Sequence, residues 1–475
     1  MIEGAEVTAS RGVIATGPAE GARAGGCVFE AGGNAMDAAA AACLACAVVE
    51  PQAVDLGGYV AAGVVLEGAT GRVWSIDANS AAPAAAHEGM YRVLPVREGT
   101  AGINELEYGC SVEDDANVYG PHAVGVPGFI AGAGTLWERW GRLKWSEVVA
   151  PARTLSTSSL DPLNDSLRKK REPMARFGGA WRRCDLTQTL DRLAAAGWRD
   201  FYVGQIGHTI ADCVQTRGGI LTLEDMTAFA PRISDPLTAA YRGATVHTAT
   251  APNGGFSVLD ALGESPAAAN EPAYWEQLAS VLQRMWQRRL GASDVHASPH
   301  GTVHVAAADR KGNLVSMTIS QGGLFGSCLA VPGTGIILGH GMCRFDPRRG
   351  RPNSPGPGKR PLNNVCPLII RMAGRDVAIG ARGGRRIVSV AVQLAQRIID
   401  LGASAFEAAS APRIHTISGN PIEVSRNFDP AIRAALEARG HRIEMPDEVA
   451  GAAHGAEIRA DGTLRAGGNT WAVGV

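Results

Sequence analysis

The chain predicts an α+β layered sandwich, and three observations carry that expectation. Helical patterns dominate its first part and strand patterns its second, without the strict alternation of a doubly wound parallel sheet. Its 475 residues can bury a large core. Its 60 glycines, with only 5% aromatic and 19% charged residues, describe a tightly packed, turn-rich globular protein.

In order, Arg11–Gly17 reads as a short strand and Pro18–Glu30 as a helix closed by Gly32 and Gly33. Asn34 caps a second helix, Ala35–Val49, stopped by Pro51 and apolar all round, as a buried helix should be. Val60–Leu66 and Arg72–Asp77 form a hairpin about Gly68–Gly71. Residues 89–120 are polar and irregular. Helices follow over Phe129–Trp140, Trp145–Leu155, Asp185–Ala196 and Tyr202–Gln215, with a short one capped at Leu223–Met226. Pro236–Tyr241 and Ala244–Thr250 suggest another hairpin, and Trp275–Leu290 is an amphipathic helix. Residues 291–301 have loop composition and mark the clearest boundary.

Beyond it, strands are expected at 302–308, 314–320, Gly335–Leu338, Leu368–Met372 and Asp376–Ile379. Asp346–Pro361, with five prolines and four arginines, reads as a surface loop. Helices close the chain at Ile387–Ile399, Ala405–Ala411 and Pro430–Arg439. No internal repeat stands out.

Composition excludes several functions. Lys+Arg is 45 and Asp+Glu 46, and no basic stripe is present, which argues against nucleic acid as a partner. The longest apolar run, Ala38–Val49, is too short to cross a bilayer. The N-terminus shows no basic, apolar secretory pattern. Nine scattered cysteines include one C-x-x-C match, Cys43 to Cys46, inside the apolar helix, where core packing explains it better than metal or redox use. The expectation is a cytoplasmic protein with reduced thiols, using no metal or cofactor and seating in no membrane.

One stretch carries chemistry: Gly301-Thr302-Val303-His304, followed by a turn at Asp309–Asn313 and a second strand. A threonine that becomes a chain terminus has a hydroxyl nucleophile and, in its own freed amine, a general base. An α-amine titrates near ~7.7–8.0, suited to proton transfer at neutral pH. A Gly-Thr pair is also an ordinary hairpin entry, so the remaining motifs must decide. His304 lies two residues on, on the same strand face, and reads as structural or supporting; Asp309 reads as a turn former.

Those motifs run through nearly the whole chain. They are Ala31-Gly-Gly-Asn-Ala-Met-Asp-Ala-Ala39, Val48-Val-Glu-Pro-Gln52 with Leu56-Gly-Gly58, Ala123-Val-Gly-Val-Pro-Gly128, Gly218-Gly-Ile-Leu-Thr-Leu-Glu-Asp225 and Tyr241-Arg-Gly243. Thr302-x-His304 with Asp309-x-x-Gly312-Asn313, Gly358-Lys-Arg-Pro-Leu362 and Gly383-Gly384 continue the series. In this order they resemble the γ-glutamyltransferases.

The resemblance implies a four-layer αββα N-terminal-nucleophile hydrolase fold. It implies self-cleavage between Gly301 and Thr302, giving a larger piece, 1–301, and a smaller one, 302–475, that stay associated in one sandwich. Gly301, lacking a side chain, would let the scissile peptide strain. Thr302 would be the nucleophile and Ser320 the hydroxyl beside it, where the family has threonine. Gly383 and Gly384 would donate their N–H groups to the oxyanion. The substrate would be a small-molecule amide, and a homodimer is compatible with the pattern.

The recognition residues depart from that family. Asn79 stands where an arginine grips the glutamyl α-carboxylate, and a neutral amide offers no charged fork. Arg344 stands where an aspartate holds the α-amine, Gly341 where a glutamine precedes it, and Gly322 where an asparagine lies in the same pocket. Asn363 and Asn364 replace a serine pair near the oxyanion hole. The expectation is an amidohydrolase or acyltransferase for which γ-glutamyl compounds are poor substrates. Gly322 and Gly341 would widen the pocket, and Arg344 would either receive a carboxylate or stand as a solvated surface arginine. The alternatives are a genuine γ-glutamyl or glutathione hydrolase and a non-catalytic, unprocessed binding protein.

Overall fold

The computed structural model describes residues 1–95, 108, 110–157, 163–290, 301–446 and 451–475. The boundary loop expected at 291–301 lies outside the described residues up to 300, as do 96–107 and 109 within the polar stretch.

Thirteen strands form one antiparallel ladder. Its first half runs Arg232–Ser234, Arg72–Asn79, Val60–Glu67, Leu314–Gly322, Gly301–Asp309 and Gly12–Thr16. Its second half runs Leu464–Gly474, Ala453–Arg459, Arg375–Ala381, Leu368–Met372, Ala244–Thr248 and Leu237–Tyr241. Ile2–Ala9 adds to Leu464–Gly474 off this path.

The ladder folds back on itself, so the halves stack as two layers. Ser316 Oγ reaches across to donate to the Ile379 carbonyl at 3.0 Å. Val60, Ala62, Ala306, Ile369, Ala378 and Ala456 fill the core between the layers. Helices Ala19–Glu30, Ala35–Val49, Phe129–Trp140 and Trp145–Ser156 pack on one outer face. Gly255–Glu264, Pro272–Leu290, Arg386–Asp400 and Ala405–Ser410 pack on the other. This is the αββα sandwich.

Local sequence explains the elements that hold the site. Asn34 accepts from the Met36 and Asp37 N–H groups while Asp37 accepts from Asn34, a reciprocal cap worth about 1 kcal/mol. Small Ala and Cys side chains let the helix that follows lie buried all round. Asp309 does more than turn the chain: its carboxylate accepts from Lys311 and Asn313 and from the Ala35 N–H at the start of that helix.

Three expectations are corrected. The helix expected over Tyr202–Gln215 breaks at Gly204, which is extended, into Asp200–Val203 and Gln205–Thr216. The strand expected at Gly335–Leu338 shrinks to Ile336–Ile337, paired only with Ala330–Val331. No element was expected before Arg11, yet Ile2–Ala9 is a strand that pairs with the last strand of the chain.

Candidate active site

Pairing register places Thr302. Thr302 lies opposite Ser320, with a bulge between Gly301 and Thr302. The backbone of Gln52 and Ala53 presses on Gly301 so closely that a Cβ there would sit 2.9 Å from the Gln52 carbonyl. Glycine is required at this position by that approach rather than by a positive φ. The same strap is pinned by the Gln321 and Phe325 N–H groups, which donate to Ala53 and Gln52.

Hydrogen counting at Ser320 orients Thr302. The Ser320 hydroxyl donates to the Gly301 carbonyl at 2.5 Å and accepts from the Gly322 N–H at 2.9 Å. Its one proton is thus used, so across the 3.1 Å contact Thr302 Oγ donates and Ser320 accepts. Thr302 is held by the same hydroxyl that donates to the carbonyl before it.

Register also links Thr302 to the expected recognition residue. Thr302 faces Ser320, Ser320 faces Val60, and Val60 faces Asn79, a straight row across four strands. Three strand spacings put Asn79 about 14 Å from Thr302 along the row.

A cleft of about 690 Å³ opens at Thr302. Gly383 lines it, and Gly384 follows, with φ of 132° and 58°. Neither glycine N–H makes a backbone hydrogen bond among the described residues, and both precede the helix Arg386–Asp400. Two unused donors at the positive end of a helix suit a developing oxyanion.

Four guanidinium groups share this cleft, from Arg382, Arg386, Arg413 and Arg426, against one lining carboxylate among the described residues, Glu50. Arg386 is held bidentately by Glu423. Arg382 makes only a loose ion pair with Glu50, at 3.6 Å. Burial raises the Glu50 carboxyl above its ordinary value, and Arg382 partly offsets this. Burial lowers Arg413 to about 10, with Arg397 adding repulsion.

The expected recognition residues form a connected cluster that does not line this cleft. Asn79 is fully buried; its Nδ2 donates to the Pro361 carbonyl at 2.8 Å and its Oδ1 accepts from Asn363 at 3.4 Å. Tyr59 donates to Asn363 Oδ1 and lies 5.5 Å beneath the Arg344 guanidinium. Asn364 Oδ1 accepts from Arg289 at 3.4 Å. Arg344 is buried, and its carbonyl is taken by Tyr108 and Asn353.

The expected widening is overturned. The His340 ring fills the place a side chain at Gly322 would occupy, and Ser80 fills that at Gly341. Gly322 also has φ of 98°, so it serves the close approach of His340 and not an enlarged pocket. His340 accepts from the Gly323 N–H, and burial lowers its pKa to about 3, with Arg344 adding to the effect.

His304 is structural, as its strand position suggested. It is fully buried between the layers, 2.9 Å from Thr318 Oγ1, and burial lowers its pKa to about 3. Burial also raises Cys43 and Cys46 far above the ordinary thiol range, consistent with core packing. Sequence reasoning missed the arginines. Arg382, Arg385 and Arg386 flank the glycine pair in plain view, and that local run was the available signal.

A threonine opening a central strand, a hydroxyl partner and a glycine pair at a helix start in an αββα sandwich define a class, the N-terminal-nucleophile enzymes acting on amide bonds. The gamma-glutamyltranspeptidase family profile matches residues 21–160, 158–297 and 267–475, and the chain belongs to that family. It is similar to the acylase ACY 1 proenzyme of Pseudomonas sp. (strain SE83), at 30% identity over 96% of this chain and 91% of the relative. It is 26% identical to the glutathione hydrolase proenzyme of Escherichia coli (strain K12), over 96% and 90%. The crystal structure of cephalosporin acylase from Bacillus halodurans shares the fold, with a TM-score of 0.82, 23% identity and coverage of 99% and 97%.

Proposed function

We propose that this chain is a self-processing amidohydrolase or acyltransferase whose acyl donor is not a γ-glutamyl compound. The observation that carries the reading is the Gly301–Thr302–Ser320 arrangement. Thr302 Oγ attacks the Gly301 carbonyl carbon while Ser320 donates to its oxygen. The C–N bond then breaks, leaving an ester on Oγ and a free Thr302 amine, and water hydrolyses the ester. In the processed enzyme the amine takes the hydroxyl proton as Oγ attacks a substrate amide, and Gly383 and Gly384 receive the oxyanion. The proton passes to the leaving amine, and water or a second amine resolves the acyl-enzyme.

Interleaved pairing supports pieces that stay together, since Gly301–Asp309 bonds to Gly12–Thr16 and Leu464–Gly474 bonds to Ile2–Ala9. Asn79 supports the exclusion of γ-glutamyl donors, being neutral and already engaged. The acylase relative supports a non-glutamyl amide. We also assign a reducing, cytoplasmic setting, which the absence of any disulfide among the nine cysteines supports.

A denaturing gel with intact-mass measurement tests processing. Two fragments divided before Thr302 are expected; a lasting single 49.4 kDa chain counts against the reading. Turnover of simple acyl anilides with little release from a γ-glutamyl anilide would complete the assignment. Efficient γ-glutamyl release would reverse its substrate half.

A further inference from the structure

We propose that the Thr302 cleft recognises a carboxylate on its amide substrate, with Arg382 as the specificity-determining residue. This deepens the amidohydrolase reading and rests on it. Charge supplies the first argument. Asn79 itself is neutral and engaged by Pro361 and Asn363, and the one guanidinium described in its cluster, Arg344, is buried over Tyr59, whereas the cleft that holds Thr302 is walled by four guanidinium groups and one carboxylate among the described residues. Glu423 engages Arg386 closely, but Arg382 has only its 3.6 Å pairing with Glu50 and no hydrogen bond from its guanidinium among the described residues. Its side chain is 36% exposed, within reach of a ligand and still tethered at the wall.

Arg413 supplies the second, independent argument. It is 2% exposed and lines the cleft. Two of its nitrogens donate to the Ala409, Gly451 and Asn469 oxygens, yet its buried Nε–H has no acceptor. A buried donor without a partner is costly, and a bound carboxylate oxygen would satisfy it. Glu50 is the mirror image, for its buried Oε2 also lacks a hydrogen-bond partner. A substrate carboxylate at Arg382 would displace this loose pairing with a planar fork-to-fork contact. The charge could sit in the acyl half or on the leaving amine, and the experiment separates the two.

Thr302→Ala, which stays uncleaved, is titrated by calorimetry with three probes. Glutaric acid monoanilide carries its carboxylate in the acyl half, N-butyryl-4-aminobenzoate carries it in the amine half, and butyranilide is neutral. One carboxylate probe is expected to bind at least ~30-fold tighter than butyranilide, weakening with salt; adding Arg382→Gln should remove at least ~10-fold of that preference. The tighter probe assigns the half. Equal binding of all three, no binding of either acid, or a preference that survives both Arg382→Gln and Arg426→Gln overturns the proposal. Processing and turnover of the unmutated chain report separately on the amidohydrolase reading, because this binding test needs neither.

Discussion

Two regions flank Thr302 and have been treated oppositely. Along the sheet, the row through Ser320 and Val60 ends at a buried, neutral, mutually bonded cluster of Asn79, Asn363 and Tyr59. Towards the helix Arg386–Asp400, the cleft is open and cationic. The strand geometry that holds the nucleophile is intact between them. The lesson is that catalytic and recognition groups separate cleanly in this fold: register fixes the first, while side chains on several loops set the second.

The comparison breaks most sharply at the nucleophile. Thr302→Ala should abolish both processing and turnover, leaving one unsplit chain on a denaturing gel, because no other hydroxyl can attack the Gly301 carbonyl in the same geometry. Detectable cleavage before residue 302 in this variant would remove Thr302 from its role.

Ser320→Ala is next. It deletes the donor to the Gly301 carbonyl and the acceptor for Thr302 Oγ. By analogy with loss of one oxyanion donor, self-cleavage should slow by roughly 10²–10³-fold. Ser320→Thr, which keeps the hydroxyl, should restore most of the rate. A full-rate alanine variant would show that the row positions nothing.

Buried histidines on both sides of Thr302 should also reveal themselves through acid. His304, His340 and His415 are buried with pKa values lowered to about 3, and burial lowers His454 well below its ordinary value too. Each is neutral when folded but binds a proton when unfolded below its ordinary value near 6.5. Stability is therefore fully present above that pH and falls as pH drops from 6.5 towards 3, by up to ~1.4 kcal/mol per pH unit for each histidine. Urea midpoints at pH 7 and pH 5 check this, and His340→Asn should flatten part of the decline. A midpoint unchanged at pH 5 would mean that these rings are hydrated.

Much of this was legible beforehand, and what was missed shares one cause. Ala35–Val49 and Phe129–Trp140 were bounded correctly because caps and apolar runs are local signals. The Gly301-Thr302 entry was legible because a strand and its turn lie together in sequence. Ala453–Arg459 and Leu464–Gly474 were not, since their Ala, Gly, Asn and Glu have weak strand preference and become strands only by pairing. Arg382, Arg413 and Arg426 come from separate segments and acquire a shared meaning only when the fold gathers them at Thr302. Gly322 misled for a similar reason: deleting a side chain suggested room, but His340, distant in sequence, had already entered it.

The smallest effect is the most direct probe of the cationic side. Once freed, the Thr302 amine must be neutral to act as base, so activity rises with pH through its pKa. Guanidinium groups lining the same cleft would disfavour its ammonium form. Arg382→Gln removes one of them, so the acidic limb of kcat/KM on a neutral anilide should move to higher pH. Across a solvent-open cleft one such charge is worth roughly 0.5 kcal/mol, a few tenths of a pH unit. Asn79→Ala, at the far end of the row and uncharged, should leave the limb in place. If both variants shift it equally, or neither does, the arginines do not act on the nucleophile's base and their influence is confined to the substrate.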